Sequence, residues 1–500
     1  MSDLLAADAP PKDSRRWLAL VVMLWAQLMV VLDATIVNIA MPQAQIALHI
    51  SDVNRQWMLT AYTLTFGGLL LLGGRIADYV GRKRIFLIGL VGFALASALG
   101  GLAQNEGMLF GARALQGAFG ALLAPAALSL VTVTFTDVKE RAQAFGMLGA
   151  ISGVGAAVGL VMGGWLTQDF SWRWCLFVNI IMAALAFVAA IPLLHESKAH
   201  GNTKYDIPGA ILATAGLASV VYGFTNAAKV GQGWGAGETL LFLIGGAVLL
   251  AAFVVVEARV SNPLLPLRVI LNHNRGGSYL SSVLMGAGMM GMFLFFTYYF
   301  QQSLGYSPLK TGLLYLPFTG ALIVTAGAVS PLLPRIGPRV LMTYGAVVAA
   351  GGLFWLADLK LDSSYPAMIM PAMIIMAHGM GCVFVPLTNT ALTGVADHDA
   401  GVASAMVNTT QQIGGSLGVA LLNTFFTTAS ATYVTAHIHA LGSVRANVLG
   451  AIHGYNVAFT VSAGLIAAAA VIIFALIRKD KAEDGAVTGA ATDRPVVHVG

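Results

Sequence analysis

Apolar stretches of about 20 residues recur from residue 17 to residue 478, each long enough to cross the ~30 Å hydrocarbon core of a bilayer as a helix. In lipid the backbone has no water to bond, so such a segment must satisfy its N–H and C=O groups internally. Hydropathy and breaker residues place spans near 17–40, 53–75, 84–104, 108–134, 141–164, 172–194, 207–228, 238–258, 277–301, 310–333, 338–357, 365–390, 401–425 and 454–478. Composition agrees: 57% of the 500 residues are hydrophobic and 10% are charged, against roughly 25% charged in soluble proteins. The expected fold class is an all-α integral membrane protein with 14 transmembrane helices.

Basic residues set the expected topology. With residue 1 in the cytosol and the spans alternating, inner loops and tails collect roughly 20 Lys and Arg, and outer loops about 6. The inner clusters are Arg15–Arg16, Arg82–Lys83–Arg84, Lys139 with Arg141, Arg268 with Arg275, Arg335 with Arg339, and Arg478–Lys479. An odd number of spans would put one end of that set outside. Both termini are therefore expected in the cytosol, and the protein in the cell inner (cytoplasmic) membrane. The net charge of +5 reflects this topology, so no nucleic-acid partner is expected. Residues 1–16 read as a cytoplasmic tail with no signal-peptide cleavage pattern, and 479–500 as a disordered cytoplasmic tail. Cys175 and Cys382 lie in separate spans and offer no disulfide or metal framework.

The chain also echoes itself. RIADYVGRKRIFLIG (75–89) follows the second span, and PLLPRIGPRVLMTYG (331–345) lies between the tenth and eleventh. Aligning Gly81 with Gly337 sets Lys83 on Arg339 and Gly89 on Gly345, with Pro334 where the first copy has Asp78. Two halves of six helices, 17–194 and 277–478, separated by two linker helices in 207–258, account for this register. Parallel repeats around a central site are a transporter construction.

Charge inside the spans marks the chemistry. Asp33, in VLDATIVNIAMP, lies about seven residues below the outer end of span one, so ~10 Å deep; Arg113, about five residues into span four, is ~8 Å deep. A buried arginine costs several kcal/mol by insertion scales (about 3 kcal/mol) and is by default functional, although one near a span end can snorkel. The matched depths favour an Asp33–Arg113 pair. Span five, GMLGAISGVGAAVGLVMGGWL, carries Gly149, Gly153, Gly155, Gly159, Gly163 and Gly164. Small residues at four-residue spacing let helices touch backbone to backbone, and plain packing already explains them.

Several of these segments resemble one family. GGRIADYVGRKR (73–84) resembles the signature loop of major facilitator transporters, where the aspartate and arginines latch the inner gate. The resemblance implies that Gly74, Asp78, Gly81, Arg82 and Arg84 hold the outward-open state. Arg113, Gln116 and Gly117 in R-x-x-Q-G resemble the fourth-helix signature of facilitator-fold proton antiporters, which associates the arginine with proton coupling. The span-five glycines resemble the antiporter signature, except that Leu160 stands where proline follows glycine in the family. LDATIVNIAMPQ (32–43), NRQWMLTAYTL (54–64) and SWRWCLFVNI (171–180) resemble helices one, two and six of the fourteen-helix drug:proton antiporters. The resemblance implies a major facilitator fold of two six-helix bundles plus two linker helices. It also implies proton-coupled efflux of amphipathic or cationic drugs or antibiotics by alternating access. Export or import of another small metabolite is the rival.

Asn38, Tyr62, Gln116, His378, Asn408 and Gln412 are candidate cavity residues, being polar groups at membrane depth. His378 has packing as its alternative, and Trp57 an interface role. Met289, Met292, Phe295, Phe296 and Tyr298 are read either as a soft cavity wall or as a helix packed on its neighbours. Glu257 and Arg259 read as interface charges, and the His437–His439 pair as an outer loop without a metal. No G-x-x-x-x-G-K-[ST] occurs, so an ion gradient, and no cofactor, is the expected energy source. No nucleophile–base or metal constellation marks an enzyme. The expected partners are the drug substrate, protons and membrane lipid, with the chain a monomer.

Overall fold

The computed structural model describes residues 15–198, 206–229, 231–260, 263–395 and 400–478. The expected tails at 1–14 and 479–500, including Lys479, lie outside the described residues. Among the described residues, fourteen helices are long and apolar enough to cross a membrane. The first six are α1 (Arg16–Ala47), α2 (Trp57–Val80), α3 (Arg82–Gly101), α4 (Glu106–Thr134), α5 (Val138–Asp169) and α6 (Trp174–Leu193). Two more, α7 (Ile207–Ala227) and α8 (Gly237–Arg259), precede the second set. That set is α9 (His273–Ser303), α10 (Pro308–Val329), α11 (Pro338–Asp358), α12 (Tyr365–Leu392), α13 (Ala400–Leu441) and α14 (Ser443–Leu476). Because the spans alternate in direction, residues 15 and 478 share one face, here the terminal face.

The internal echo is visible in the backbone. Gly81 starts α3 at φ 131° and Gly337 starts α11 at φ 86°, conformations that side chains rarely adopt. A Cβ on Gly89 would lie 3.2 Å from the Leu123 Cα of α4, and one on Gly345 2.5 Å from the Gly379 carbonyl of α12. Each half thus packs its third helix backbone-close against its fourth.

Two regions depart from the hydropathy reading. Spans expected at 401–425 and 454–478 are parts of helices 42 and 34 residues long. At 1.5 Å per residue these run about 63 and 51 Å, well past the ~30 Å hydrocarbon core. The segment read as an outer loop, with His437 and His439, is therefore the tip of a helical hairpin turning at Gly442. Its Thr, Ser and His residues end the hydropathy signal while its alanines continue the helix. Tyr433 stacks on His437 at 4.2 Å.

The second departure is Glu257, which is 3% exposed rather than an interface charge. Its Oε2 accepts the Leu265 N–H at 2.9 Å, binding α8 to the segment that leads into α9. The α7–α8 hairpin itself bridges both halves. Gln56 before α2 donates to Thr225 Oγ1 at 2.6 Å, and Thr424 of α13 donates to the Phe224 carbonyl at 2.7 Å.

Candidate functional site

Asp33 and Arg113 are both fully buried and form an ion pair of 2.7 Å between Nη1 and Oδ2. The helix start fixes Arg113: Asn105 caps α4 by accepting the Met108 N–H at 2.9 Å, which places the arginine two turns inside. Its Nη1 also donates to Gln116 Oε1 at 2.8 Å, and its Nε to the Met58 carbonyl at 3.0 Å. Gln116 Nε2 donates to Asp33 Oδ1 at 3.1 Å and to Ser97 Oγ at 2.6 Å. Asn179 Nδ2 of α6 donates to Asp33 Oδ1 at 2.7 Å. The Tyr62 ring lies 4.5 Å from the guanidinium carbon. One carboxylate thus ties α1 to α4 and α6, and the arginine adds α2. Such a buried pair is costly to break from one side, about 3–5 kcal/mol, because the remaining charge has no partner.

Ser97, Asn179 and the Met58 carbonyl escape a reading by pattern. Asn179 stands inside SWRWCLFVNI, so a polar side chain at membrane depth was its available signal.

The glycines of α5 divide into two uses. A Cβ on Gly155 would lie 3.0 Å from Leu28, and one on Gly163 2.7 Å from the Ile36 carbonyl, while Gly159 would collide with Thr35. These three press α5 against α1 at the level of Asp33. Gly164 faces the other half, where a Cβ would lie 2.6 Å from the Pro308 carbonyl of α10. Leu160, in place of the proline, leaves α5 unbroken, and its carbonyl would collide with a Cβ on Gly312. Down the same seam, a Cβ on Gly153 would lie 3.6 Å from Ile323, and one on Gly149 would meet nothing within 4 Å. The α5–α10 seam is closed at the opposite face and parts toward the terminal face.

The gate loop sits at that terminal face. Arg82 Nη2 pairs with Asp78 Oδ1 at 2.9 Å. Glu196, after α6, accepts the backbone N–H groups of Lys83 and Arg84 at 3.1 Å each. A Cβ on Gly81 would meet that carboxylate at 2.7 Å, and one on Gly74 would touch Pro125 at 3.4 Å. These contacts join α2, α3, α4 and the segment after α6. They coexist with an α5–α10 seam that parts on the same face.

The cavity candidates separate. Tyr62 and Gln116 are 1% and 0% exposed and belong to the ion-pair cluster; Asn38, at 2%, is buried with Oδ1 unpaired. None of the three lines an open space here, because the helices of the first half close over them. His378 bridges Thr325 Oγ1 at 3.1 Å and Tyr344 OH at 3.3 Å, joining α10, α11 and α12. Asn408 is exposed and Gln412 half-buried on α13, the latter beside Gly67 of α2. Met292, Phe295, Phe296 and Tyr298 are fully buried, so the packed-helix reading holds and the cavity-wall reading does not. Phe295 stacks on Phe426, and Phe296 on Phe300. Met289 is partly buried.

Arg55, inside the span expected at 53–75, is 1% exposed. Its Nε donates to Asn423 Oδ1 of α13 at 3.1 Å, and its guanidinium lies 4.1 Å from the Tyr298 ring and 4.5 Å from that of Phe426. Asn423 returns a bond to the Asp52 carbonyl at 2.9 Å. With Gln301 Nε2 donating to the Ile39 carbonyl at 2.9 Å, this clamp joins the halves at the opposite face.

Known proteins share this architecture. The Major Facilitator Superfamily pattern matches residues 23–419. The puromycin resistance protein of Streptomyces alboniger is 47% identical, over 97% of this chain and 95% of its own length. The cephamycin export protein of Amycolatopsis lactamdurans is 39% identical, over 83% and 85%. A peptide transporter crystallised in complex with sulfate superposes with a TM-score of 0.65 at 15% identity, over 92% and 95%, a likeness of fold. The chain belongs to the major facilitator superfamily and is a fourteen-helix membrane transporter.

Proposed function

We propose that this transporter exports antibiotics or similar amphipathic small molecules, cationic ones included, and that proton uptake at Asp33 drives each cycle. The basic residues gathered at the terminal face support a cytosolic placement of that face and of both termini in the cytoplasmic membrane. The cargo class rests on the similarity to the puromycin resistance and cephamycin export proteins. The coupling rests on one observation, the sealed Asp33–Arg113 pair with Gln116 and Asn179 as further donors.

The ionised carboxylate holds α1 against α4 and α6. A proton on Asp33 removes the charge that Arg113 and two amides are arranged around, and the helices must re-pair. Ile39, six residues along α1, bonds to Gln301 of the other half. A change of fit around Asp33 is therefore transmitted to the joint between bundles. Substrate enters from the cytosolic side, where the α5–α10 seam parts and Asn408 is exposed. Protons supply the energy, and no cofactor takes part.

Asp33→Asn tests the coupling in everted vesicles. The variant should insert normally and lose pH-gradient-driven efflux of a cationic dye; full gradient-dependent efflux would remove Asp33 from the coupling. A susceptibility panel in an efflux-deficient bacterial host, including puromycin and a cephamycin, tests the cargo. Protection against none of the panel would point to another metabolite.

A further inference from the structure

Asp206 and Glu257 meet where the α7–α8 hairpin returns to the terminal face, just before α7 begins and just before α8 ends. Asp206 is 4% exposed, as buried as Glu257. Each carboxyl gives one oxygen to a backbone donor. Asp206 Oδ1 caps α7 by accepting the Gly209 N–H at 2.8 Å, and Glu257 Oε2 accepts the Leu265 N–H. The remaining oxygens, Asp206 Oδ2 and Glu257 Oε1, are buried with no donor facing them. They converge on one point: a Cβ on Gly209 would lie 2.6 Å from the first and 2.8 Å from the second. The two side chains are within hydrogen-bonding reach of each other. Ionised carboxylates only accept, so that bond requires a proton.

Two like charges this close cannot both persist in a site shut off from water. Among the described residues no cation answers them. Arg75 at the same end of α2, Arg259 of α8, Arg268 of the link into α9 and Arg275 of α9 make no hydrogen bond to either oxygen. Asp78 of α2 pairs with Arg82, and Tyr279 of α9 donates to the Ala403 carbonyl. A metal ion would need more ligands, and no third His, Cys, Asp or Glu among the described residues joins the pair.

We propose that Asp206 and Glu257 bind one proton between them, at a site separate from Asp33 and outside both six-helix bundles. The proton sits on Glu257 Oε1, which donates to Asp206 Oδ2. Asp206 stays ionised because it caps the positive end of α7, whereas Glu257 lies at the negative end of α8. Every oxygen of the pair then has a partner. Filled, the site staples both ends of the hairpin to the link into α9. Leu265 of that link packs with Tyr279 of α9, Ala391 of α12, and Ala403 and Met406 of α13. In an alkaline medium Glu257 gives its proton to a water, which becomes hydronium, and two carboxylates are left in repulsion under the hairpin.

Infrared spectra of the intact transporter at neutral pH read the proton through the carbonyl stretch of a protonated carboxyl. The wild type should show that band and Glu257→Gln should lack it. Glutamine keeps both bonds, its amide donating to Asp206 and its carbonyl accepting from Leu265, so this variant imitates the filled site and should fold. Asp206→Asn still caps α7 but offers Glu257 an amide donor, and should remove the band as well. No band in the wild type, or a band that survives Asp206→Asn, overturns the shared proton. Above about pH 5 the unfolded chain has released the proton that the folded pair holds, so the wild-type unfolding constant should rise about tenfold per pH unit relative to that of Glu257→Gln. A constant ratio overturns the site. Stabilisation of the wild type, but not of the variant, by added magnesium or sodium ions would put a metal ion in place of the proton. Glu257→Gln should keep gradient-driven dye efflux; a loss as complete as in Asp33→Asn would mean that the proton must leave in each cycle, which overturns the staple.

Discussion

The two six-helix halves share a backbone plan and bury opposite kinds of matter. In both, a glycine at positive φ starts the third helix, which then packs backbone-close on the fourth. The first half fills its centre with Asp33, Ser97, Arg113, Gln116 and Asn179, all fully buried. The second fills its own with Phe295, Phe296, Phe300, Phe426, Tyr455 and Phe459, ring against ring at 5.0–6.4 Å. In lipid, helix association draws on packing and interhelical hydrogen bonds because the apolar surroundings supply no hydrophobic push. A hydrogen-bonded centre can be rewritten by one proton, whereas an aromatic centre is indifferent to pH. The difference assigns response to one half and rigidity to the other, although both descend through the same frame.

Three substitutions bear on that division, in falling order of expected effect. Phe296→Ala should cost about 3 kcal/mol of stability in detergent unfolding, the low end for an emptied aromatic site, and leave the pH profile of transport in place. A shifted profile would show that the second half also senses protons. Asn179→Ala should cost about 2 kcal/mol, as a hydrogen bond to a charged group does. The pH profile of transport should move with it; an unmoved profile would make Asn179 a packing residue. Arg55→Lys keeps the charge at the joint between halves but loses the planar contact with Tyr298 and Phe426. The opposite-face joint should weaken by about 1 kcal/mol. Spin-label distances between residues flanking Arg55 and Asn423 should then show a larger separated population, and an unchanged distribution would mean that the clamp does not hold the halves together.

The backbone plan was largely legible because lipid allows few alternatives: fourteen apolar runs become fourteen helices. Asp33 and Arg113 were legible as partners because depth along a helix follows from residue count. Their surroundings were not. Asn179 and Ser97 matter only because α6 and α3 lie beside the pair, and spacing within one helix does not specify which neighbour it faces. Arg55 carried no signal of its own, since its partners Tyr298, Asn423 and Phe426 lie more than 200 residues away in the chain. Phe295 and His378 were ambiguous for a related reason. Aromatic and polar side chains at membrane depth can face a cavity or a neighbour, and only the neighbour's position decides.

The α7–α8 hairpin carries a mechanical consequence. Its hydrogen bonds to Gln56 and Thr424 anchor it to both halves along the α2–α13 side. Gly68 of α2 also lies so close to Thr214 that a Cβ there would sit 2.7 Å from its hydroxyl. That side is strapped shut and can act as an axle, while among the described residues no helix straps the α5–α10 side. Rotation of the halves about such an axle opens one flank only, so an oily solute coming from the bilayer would meet a door hinged along α7 and swinging at α5.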